Sequence, residues 1–321
     1  MLHSALADDL EVALASHDGL VTTAQLTELG FSSRAVSRAV ATGRLAPLRR
    51  GVYADAAVHA AGPEERHVWR MRAEAAVAHK PLVFSHVSAA ALHGLPFIGD
   101  APGRVHVVAE TRSGSNSAGR CVHTTQSPVR PVVVEGLLVT SLERTVVDLA
   151  LTASFAAALA AADRALALID ADTPAPLLET LESLQPTRGL RRALRVLRAA
   201  DRRSGSAGES LSRARMIELG FEVPELQVRF DRPGGGVSFV DFFWRRQALI
   251  GEFDGLVKYS RSRELNGMSP AASVIAEKRR EDELRRQVRG FERWTWDDAI
   301  SPRRFAALLS DFGVPRASDT R

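Results

Sequence analysis

Apolar residues in the first sixty positions recur at helical spacing in three blocks and then switch to alternation. Residues 2–16 are amphipathic, "TTAQLTELG" predicts a helix capped by Thr23 and stopped at Gly30, and "SSRAVSRAVATG" predicts one capped by Ser32 and stopped at Gly43. "RLAPLRRGVY" then alternates apolar and basic residues around Pro47 and Gly51, as the strands of a small wing would. Three helices followed by a hairpin is the order of a winged helix-turn-helix, here over residues 1–60. In that geometry the third helix enters the major groove, so Arg34, Ser37 and Arg38 are expected at base edges or phosphates, with Arg49 and Arg50 of the wing on the backbone. The competing reading is a helical protein-interaction module with a solvated basic face.

Residues 61–172 mix the two periods. "EERHVWRMRAEAAVAHK" is helical, "SHVSAAALHGLP" predicts a Ser85-capped helix closed by Gly94 and Pro96, and "RVHVVAE", "RCVHTTQ" and "VVVEGLLVT" read as short strands. "TSLERTVVDLAL" opens with a Thr140/Glu143 capping box. His79, His86, His93, His106 and His123 have irregular spacings and are read as structural or surface histidines rather than metal ligands. Residues 173–206 read as a proline-containing bridge and a basic amphipathic helix, "RGLRRALRVLRAADRR", with Leu190, Leu194 and Leu197 at helical spacing. Its arginines face either a phosphate backbone or water. "SGSAG" is a flexible joint that predicts a domain boundary near residue 205.

From residue 207 to 321 the predicted order is αβββαβ. It comprises a helix over 208–219 ending at Gly220, strands over 225–230, 237–244 and 247–254, a helix over 270–288 capped by Ser269, and a strand at "FERWTW". "SPRRFAALLSDFG" is a closing helix, and Trp244, Trp294 and Trp296 sit in apolar strand contexts that predict core positions. The whole is an α/β chain in the broad sense, an α+β multidomain protein. Alternation on strand 247–254 places Glu252 and Asp254 on one face, with Asp241 available from the antiparallel neighbour and Glu209 from the preceding helix. A desolvated carboxylate costs several kcal/mol unless a cation meets it. These acids therefore either point into water, facing arginines such as Arg245, Arg246 or Arg279, or hold a metal. Carboxylates converging from adjacent strands suit Mg²⁺ or Mn²⁺, and a metal so held acidifies a water and clamps a scissile phosphate. Lys258 or Lys278 would add charge neutralisation.

Composition narrows the setting. A chain that is 45% apolar and 25% charged is an ordinary globular protein, and a net charge of +4 with a pI near 9.8 permits a polyanionic partner. Cys121 is the only cysteine, which excludes an intrachain disulfide and predicts no cysteine-based zinc site; a reducing cytoplasm is the expected compartment. Asp8, Asp9 and Glu11 stand where a signal peptide needs an apolar core, and Asp163 and Arg164 interrupt the run from Leu149 to Leu168, so no membrane span is expected.

Two resemblances follow. The αβββαβ order with "FVDFFW", "IGEFDG" and "AEKRREDELRR" looks like the PD-(D/E)xK restriction-endonuclease-like superfamily, nearest its very-short-patch-repair-like members, over about residues 207–297. Carried over, that resemblance makes Glu209 the helix acid, Asp241 the first metal ligand and Glu252 the second. It puts Asp254 where the pattern has lysine, so Lys258 or Lys278 would have to supply that function, or the domain binds DNA without cutting it. "LVTTAQLTELGFSSRAVSRAVATGRLAPLRRGVYA", "SHVSAAALHGLP" and "TSLERTVVDLA" are similar to AbiEi-type antitoxins of type IV toxin–antitoxin systems, over about residues 5–170. That implies operator DNA and a nucleotidyltransferase-like toxin as partners. The expected function is a DNA-binding protein with a Mg²⁺-dependent endonuclease-like domain; the alternative is a non-catalytic, antitoxin-like repressor.

Overall fold

The structure, a computed structural model, describes residues 2–99, 102–111, 116–233, 235–255 and 270–317, the side chains of 2–8 and 270–273 excepted. Its contacts group into two compact units, residues 1–149 with 180–185 and residues 150–179 with 186–321.

The first unit begins with α1 (Leu2–Ser16), β1 (Leu20–Thr22), α2 (Thr23–Glu28), α3 (Ser33–Ala41), β2 (Leu45–Arg49) and β3 (Val52–Asp55), the strands forming an antiparallel sheet in the order β1-β3-β2. Thr22, not Thr23, caps α2: its hydroxyl accepts from Gln25 N while the Gln25 side chain accepts from Thr22 N. Ser32 caps α3 by accepting from Ala35 N. Leu26, Phe31, Val36 and Leu45 form the core that these caps orient. Behind the wing, Ala46, Ala54 and Val58 pack with Leu48 and Trp69, the last on α4 (Pro63–Ala76).

The remainder of this unit carries β4 (Val83–Phe84), α5 (His86–Leu92), β5 (Val105–Ala109), β6 (Arg120–Thr124), β7 (Val132–Val134), β8 (Leu137–Val139) and α6 (Leu142–Thr152), which leads into the second unit. The sheet order is β6-β5-β4-β8-β7, with β5–β6 and β4–β8 parallel. "VVVEGLLVT" is a hairpin and not one strand, because Glu135 and Gly136 adopt φ of 48° and 78° and turn the chain. The Thr140/Glu143 box does not form. Ser141 Oγ accepts from Arg144 N instead, while the Thr140 hydroxyl bonds that of Thr145. Ser85 does stand at the N-cap of α5, but its side chain makes no capping hydrogen bond; its hydroxyl meets His86 Nδ1 at 3.0 Å.

The second unit contains α7 (Phe155–Leu168), α8 (Ala175–Leu184, its last turn grouped with the first unit), α9 (Leu190–Ala199), α10 (Ala207–Leu219), β9 (Glu225–Asp231), β10 (Val237–Trp244), β11 (Leu249–Phe253), α11 (Pro270–Arg285), β12 (Gly290–Trp294), α12 (Trp296–Ile300) and α13 (Pro302–Phe312). The boundary expected near residue 205 thus falls inside a compact unit. Buried alanines 158, 161, 162 and 165 give α7 a smooth apolar surface. Asp163 on the same helix accepts from Asp201 N (2.8 Å), from Ser210 Oγ (2.7 Å) and from Arg213 Nη2 (2.6 Å) on α10. Residues 173–206, expected as a bridge followed by one basic helix, hold two helices, α8 and α9. Helix α9 buries Ala193, Val196 and Leu197 and leaves Leu190 exposed. Several of its arginines are engaged inside the unit: Arg192 donates to Leu151 O and Thr152 O, Arg195 lies over Phe155, and beyond the helix Arg202 pairs with Asp170 and Asp172.

The four-stranded sheet runs β12-β11-β10-β9, antiparallel except for the β11–β12 pair. One core contains Val240, Phe243, Ile250, Leu284 and Phe291; elsewhere Trp294 stacks on Phe242 and meets Phe305 edge-on while its indole N–H donates to Ser212 Oγ at 2.8 Å. A Cβ on Gly208 would lie 2.0 Å from the Phe253 ring, so glycine alone permits this approach of α10 to β11. Among the described residues no helix is long and apolar enough to cross a membrane.

Candidate functional site

On α3 the side chains of Arg34, Ser37 and Arg38 are exposed, and their i, i+3, i+4 spacing makes one outward stripe opposite buried Val36. No acid lies within α3 itself. Arg50 is exposed at the tip of the β2–β3 turn, where Gly51 takes φ 77°. Arg49 differs from the expectation. Its guanidinium is paired with the buried Glu74 carboxylate of α4 at 2.7 Å, so it braces the wing instead of projecting from it.

The acids of the second unit are set by strand register. The β10–β11 ladder pairs Phe242 with Gly251, and just beyond it Asp241 is near enough to Glu252 to repel its charge. From β9, Gln227 Nε2 donates to both Asp241 Oδ1 and Glu209 Oε2, each at 3.1 Å, and Asp241 Oδ2 accepts from Phe253 N at 2.9 Å. Gln227 holds φ 50°, a left-handed conformation that costs on the order of 1–3 kcal/mol and persists only where its surroundings impose it. Glu209 is buried in the first turn of α10, accepting from Gly205 N (2.7 Å) and Ser206 Oγ (2.8 Å), while the N-cap Ser206 Oγ accepts from Glu209 N.

Glu252 is buried and faces arginines. Arg280 Nη2 lies 2.8 and 2.7 Å from its two oxygens and Arg293 Nη2 lies 3.0 Å from one. Both guanidiniums also hold Glu277 of α11, so two acids and two arginines interlock. Burial pushes the Glu252 carboxyl up against the pull of Arg280 and Arg293, and neighbouring Asp241 adds repulsion. Burial also works against ionised Glu277, but the hydrogen bonds from Arg280 and Arg293 hold that carboxyl below its ordinary value.

This arrangement does not fit the divalent ion expected at Glu209, Asp241, Glu252 and Asp254. Their oxygens are the right kind of donor, yet among the described residues no three of these acids bring ligand atoms within 4.8 Å of one another. The charge of Glu252 is already met by two guanidiniums. Asp254 lies just past the end of β11, half-buried, with its backbone N–H bonded to Trp294 O. Lys278 is exposed on α11, and its offset from Glu277 and Arg280 along the helix turns it away from the acids. Lys258 lies outside the described residues. Of the arginines expected opposite the strand-end acids, Arg245 instead pairs with Glu225 at 2.7 Å.

Gln227, Glu277, Arg280 and Arg293 were not singled out by the sequence. Gln227 carried no distinct signal, since it is one of the polar positions in the regular alternation of Glu225, Gln227, Arg229 and Asp231. Arg280 carried none, standing among the repeated charges of "EKRREDELRR". The histidines do come together: His86 stacks on His123 with centroids 3.5 Å apart, and His106 Nδ1 lies 2.9 Å from His123 Nε2.

Residues 9–54 match the family described as transcriptional regulator, AbiEi antitoxin. No curated protein matches the chain. A crystal structure of the RV2827C protein from Mycobacterium tuberculosis aligns with a TM-score of 0.40 at 17% identity, covering 71% of this chain and 89% of that one.

Proposed function

We propose that this chain is a DNA-binding transcriptional regulator of the AbiEi antitoxin kind, reading duplex DNA through α3 and controlling its operon together with a cognate toxin. The observation that carries this reading is the exposed Arg34–Ser37–Arg38 stripe on a helix capped and packed within residues 9–54, the segment that matches the antitoxin regulators. Arg50 at the wing tip adds a phosphate contact. Binding through such contacts releases counterions, so the logarithm of affinity falls linearly with that of salt, with a slope near −0.9 per neutralised phosphate. Fluorescence anisotropy of the full chain with a duplex from upstream of its own reading frame should show this decline between 50 and 200 mM salt, to about a tenth or less for even two contacts. Binding that ignores salt, or no binding to duplex at all, would sink the proposal.

In this reading the nuclease-like sheet is a scaffold, its Glu252 neutralised by Arg280 and Arg293. A second reading, divalent-ion-dependent hydrolysis of DNA, is favoured by the closeness of the Asp241 and Glu252 carboxylates. Supercoiled plasmid incubated with the protein and Mg²⁺ or Mn²⁺ separates the two. We expect the plasmid to stay supercoiled; nicking that disappears in Glu252→Gln would establish the second reading.

A further inference from the structure

We propose that His106, Cys121 and His123 form a binding site for a divalent transition-metal ion, zinc by the chemistry of the donors. Strands β5 and β6 run parallel with His106 opposite Cys121 and Val108 opposite His123. Cys121 and His123 are two apart on β6 and so project from the same face, and His106 meets them from the adjacent strand. The three side chains each offer one ligand atom, all within 4.8 Å of one another, and each is half-buried.

The spacing matches a tetrahedral ion. Zinc bonds of ~2.05 Å to nitrogen and ~2.3 Å to sulfur separate two nitrogens by about 3.4 Å and a nitrogen from a sulfur by about 3.6 Å. Here His106 Nδ1 and His123 Nε2 are 2.9 Å apart, and Cys121 Sγ is 3.7 Å from His123 Nε2. The two rings need to part by a few tenths of an ångström, and the sulfur already stands at the required distance from His123. Two imidazoles and a thiolate select zinc over the hard ions Mg²⁺ and Ca²⁺, and three protein ligands leave a fourth position for water.

The surroundings hold the rings for this role. His86 lies flat on His123, at 15° between planes, and is itself fixed at φ 51° beside Ser85 Oγ. Without metal, one proton sits between His106 Nδ1 and His123 Nε2. On binding, the ring that carries it shifts that proton to its other nitrogen, and Cys121 releases its thiol proton to solvent. The ion would staple β6, the edge strand of the five-stranded sheet, to β5.

The test uses the full chain without a histidine tag, stripped with chelator and titrated with Co²⁺ and then Zn²⁺. We expect one Co²⁺ per chain, with a thiolate-to-cobalt charge-transfer band that Zn²⁺ displaces, and with Mg²⁺ inert. The band should vanish in Cys121→Ser and binding should be lost in His123→Gln. In the unaltered chain, Zn²⁺ at 100-fold excess over Kd should raise the Tm of the transition that includes this sheet by about 5–10 °C, a readout that does not depend on any variant folding. Cobalt binding without the thiolate band, affinity unchanged in Cys121→Ser, or an unshifted Tm in the unaltered chain would each overturn the proposal.

Discussion

Arg213→Met should lower the stability of the second unit by about 3–5 kcal/mol, because it leaves a buried carboxylate without its counter-ion. Arg213 and Asp163 are both almost wholly inaccessible, 4% and 0% exposed, and the guanidinium also donates to Ala199 O. Burial raises the Asp163 carboxyl despite the pull of Arg213. A group raised in this way contributes fully below its unfolded value near 4, and that contribution is lost as pH rises through the folded pKa. Removing Arg213 raises the carboxyl further. The gap between variant and wild type is therefore widest at neutral pH and narrows on acidification toward about pH 4, as Asp163 takes a proton. Urea titration followed by tryptophan fluorescence reads this directly, since Trp244, Trp294 and Trp296 lie in this unit and only Trp69 lies in the other. Adding Asp163→Leu should recover part of the loss and not all of it, because Asp201 N then loses its acceptor, at about 1–3 kcal/mol for a buried donor left unpaired, and Ser210 Oγ keeps only Ser204 Oγ. A neutral-pH loss under 1 kcal/mol for Arg213→Met would mean that the pair does not anchor the unit.

The second large effect concerns DNA. The double variant Arg34→Ala/Arg38→Ala should weaken duplex binding by about 100-fold or more at low salt, each base-edge contact being worth about 1–3 kcal/mol and each lost phosphate contact flattening the salt slope by about 1. Both side chains are exposed and lie outside the core formed by Leu26, Phe31, Val36 and Leu45, so the fold should survive and far-ultraviolet circular dichroism should not change. Arg49→Ala is the informative contrast. Because that guanidinium is paired with Glu74, its loss should appear first in stability and only secondarily in affinity. Equal affinity for the double variant and the wild type would remove α3 from the interface.

Local signals were legible where local physics decides the outcome. Ser32 as the cap of α3, Gly220 as the left-handed end of α10, and the bounds of β10 could all be read from neighbouring residues. Other local readings missed by one residue, as at Thr22, where the capping box needs Gln25 three positions on. What escaped was set by register between distant segments. Arg280 and Arg293 reach Glu252 across 28 and 41 residues, and Asp163 meets Arg213 across 50. In the sequence, Asp163 was only a charge interrupting an apolar run. The histidine spacings carry no period along the chain; a parallel strand pair brings residues 106 and 121 together at a separation no periodicity reveals.

The packing of Trp69 against the back of the wing has a practical consequence. Ala46, Ala54 and Val58 cover that ring, a Cβ on Gly19 would come within 2.9 Å of it, and Arg49 neutralises the Glu74 carboxylate farther along α4. A fragment starting at residue 61 would expose an indole to water and leave a nearly buried acid without its partner, so the first sixty residues cannot be cut off cleanly at that point. Any dissection of this chain into working pieces has to keep α4 with the wing.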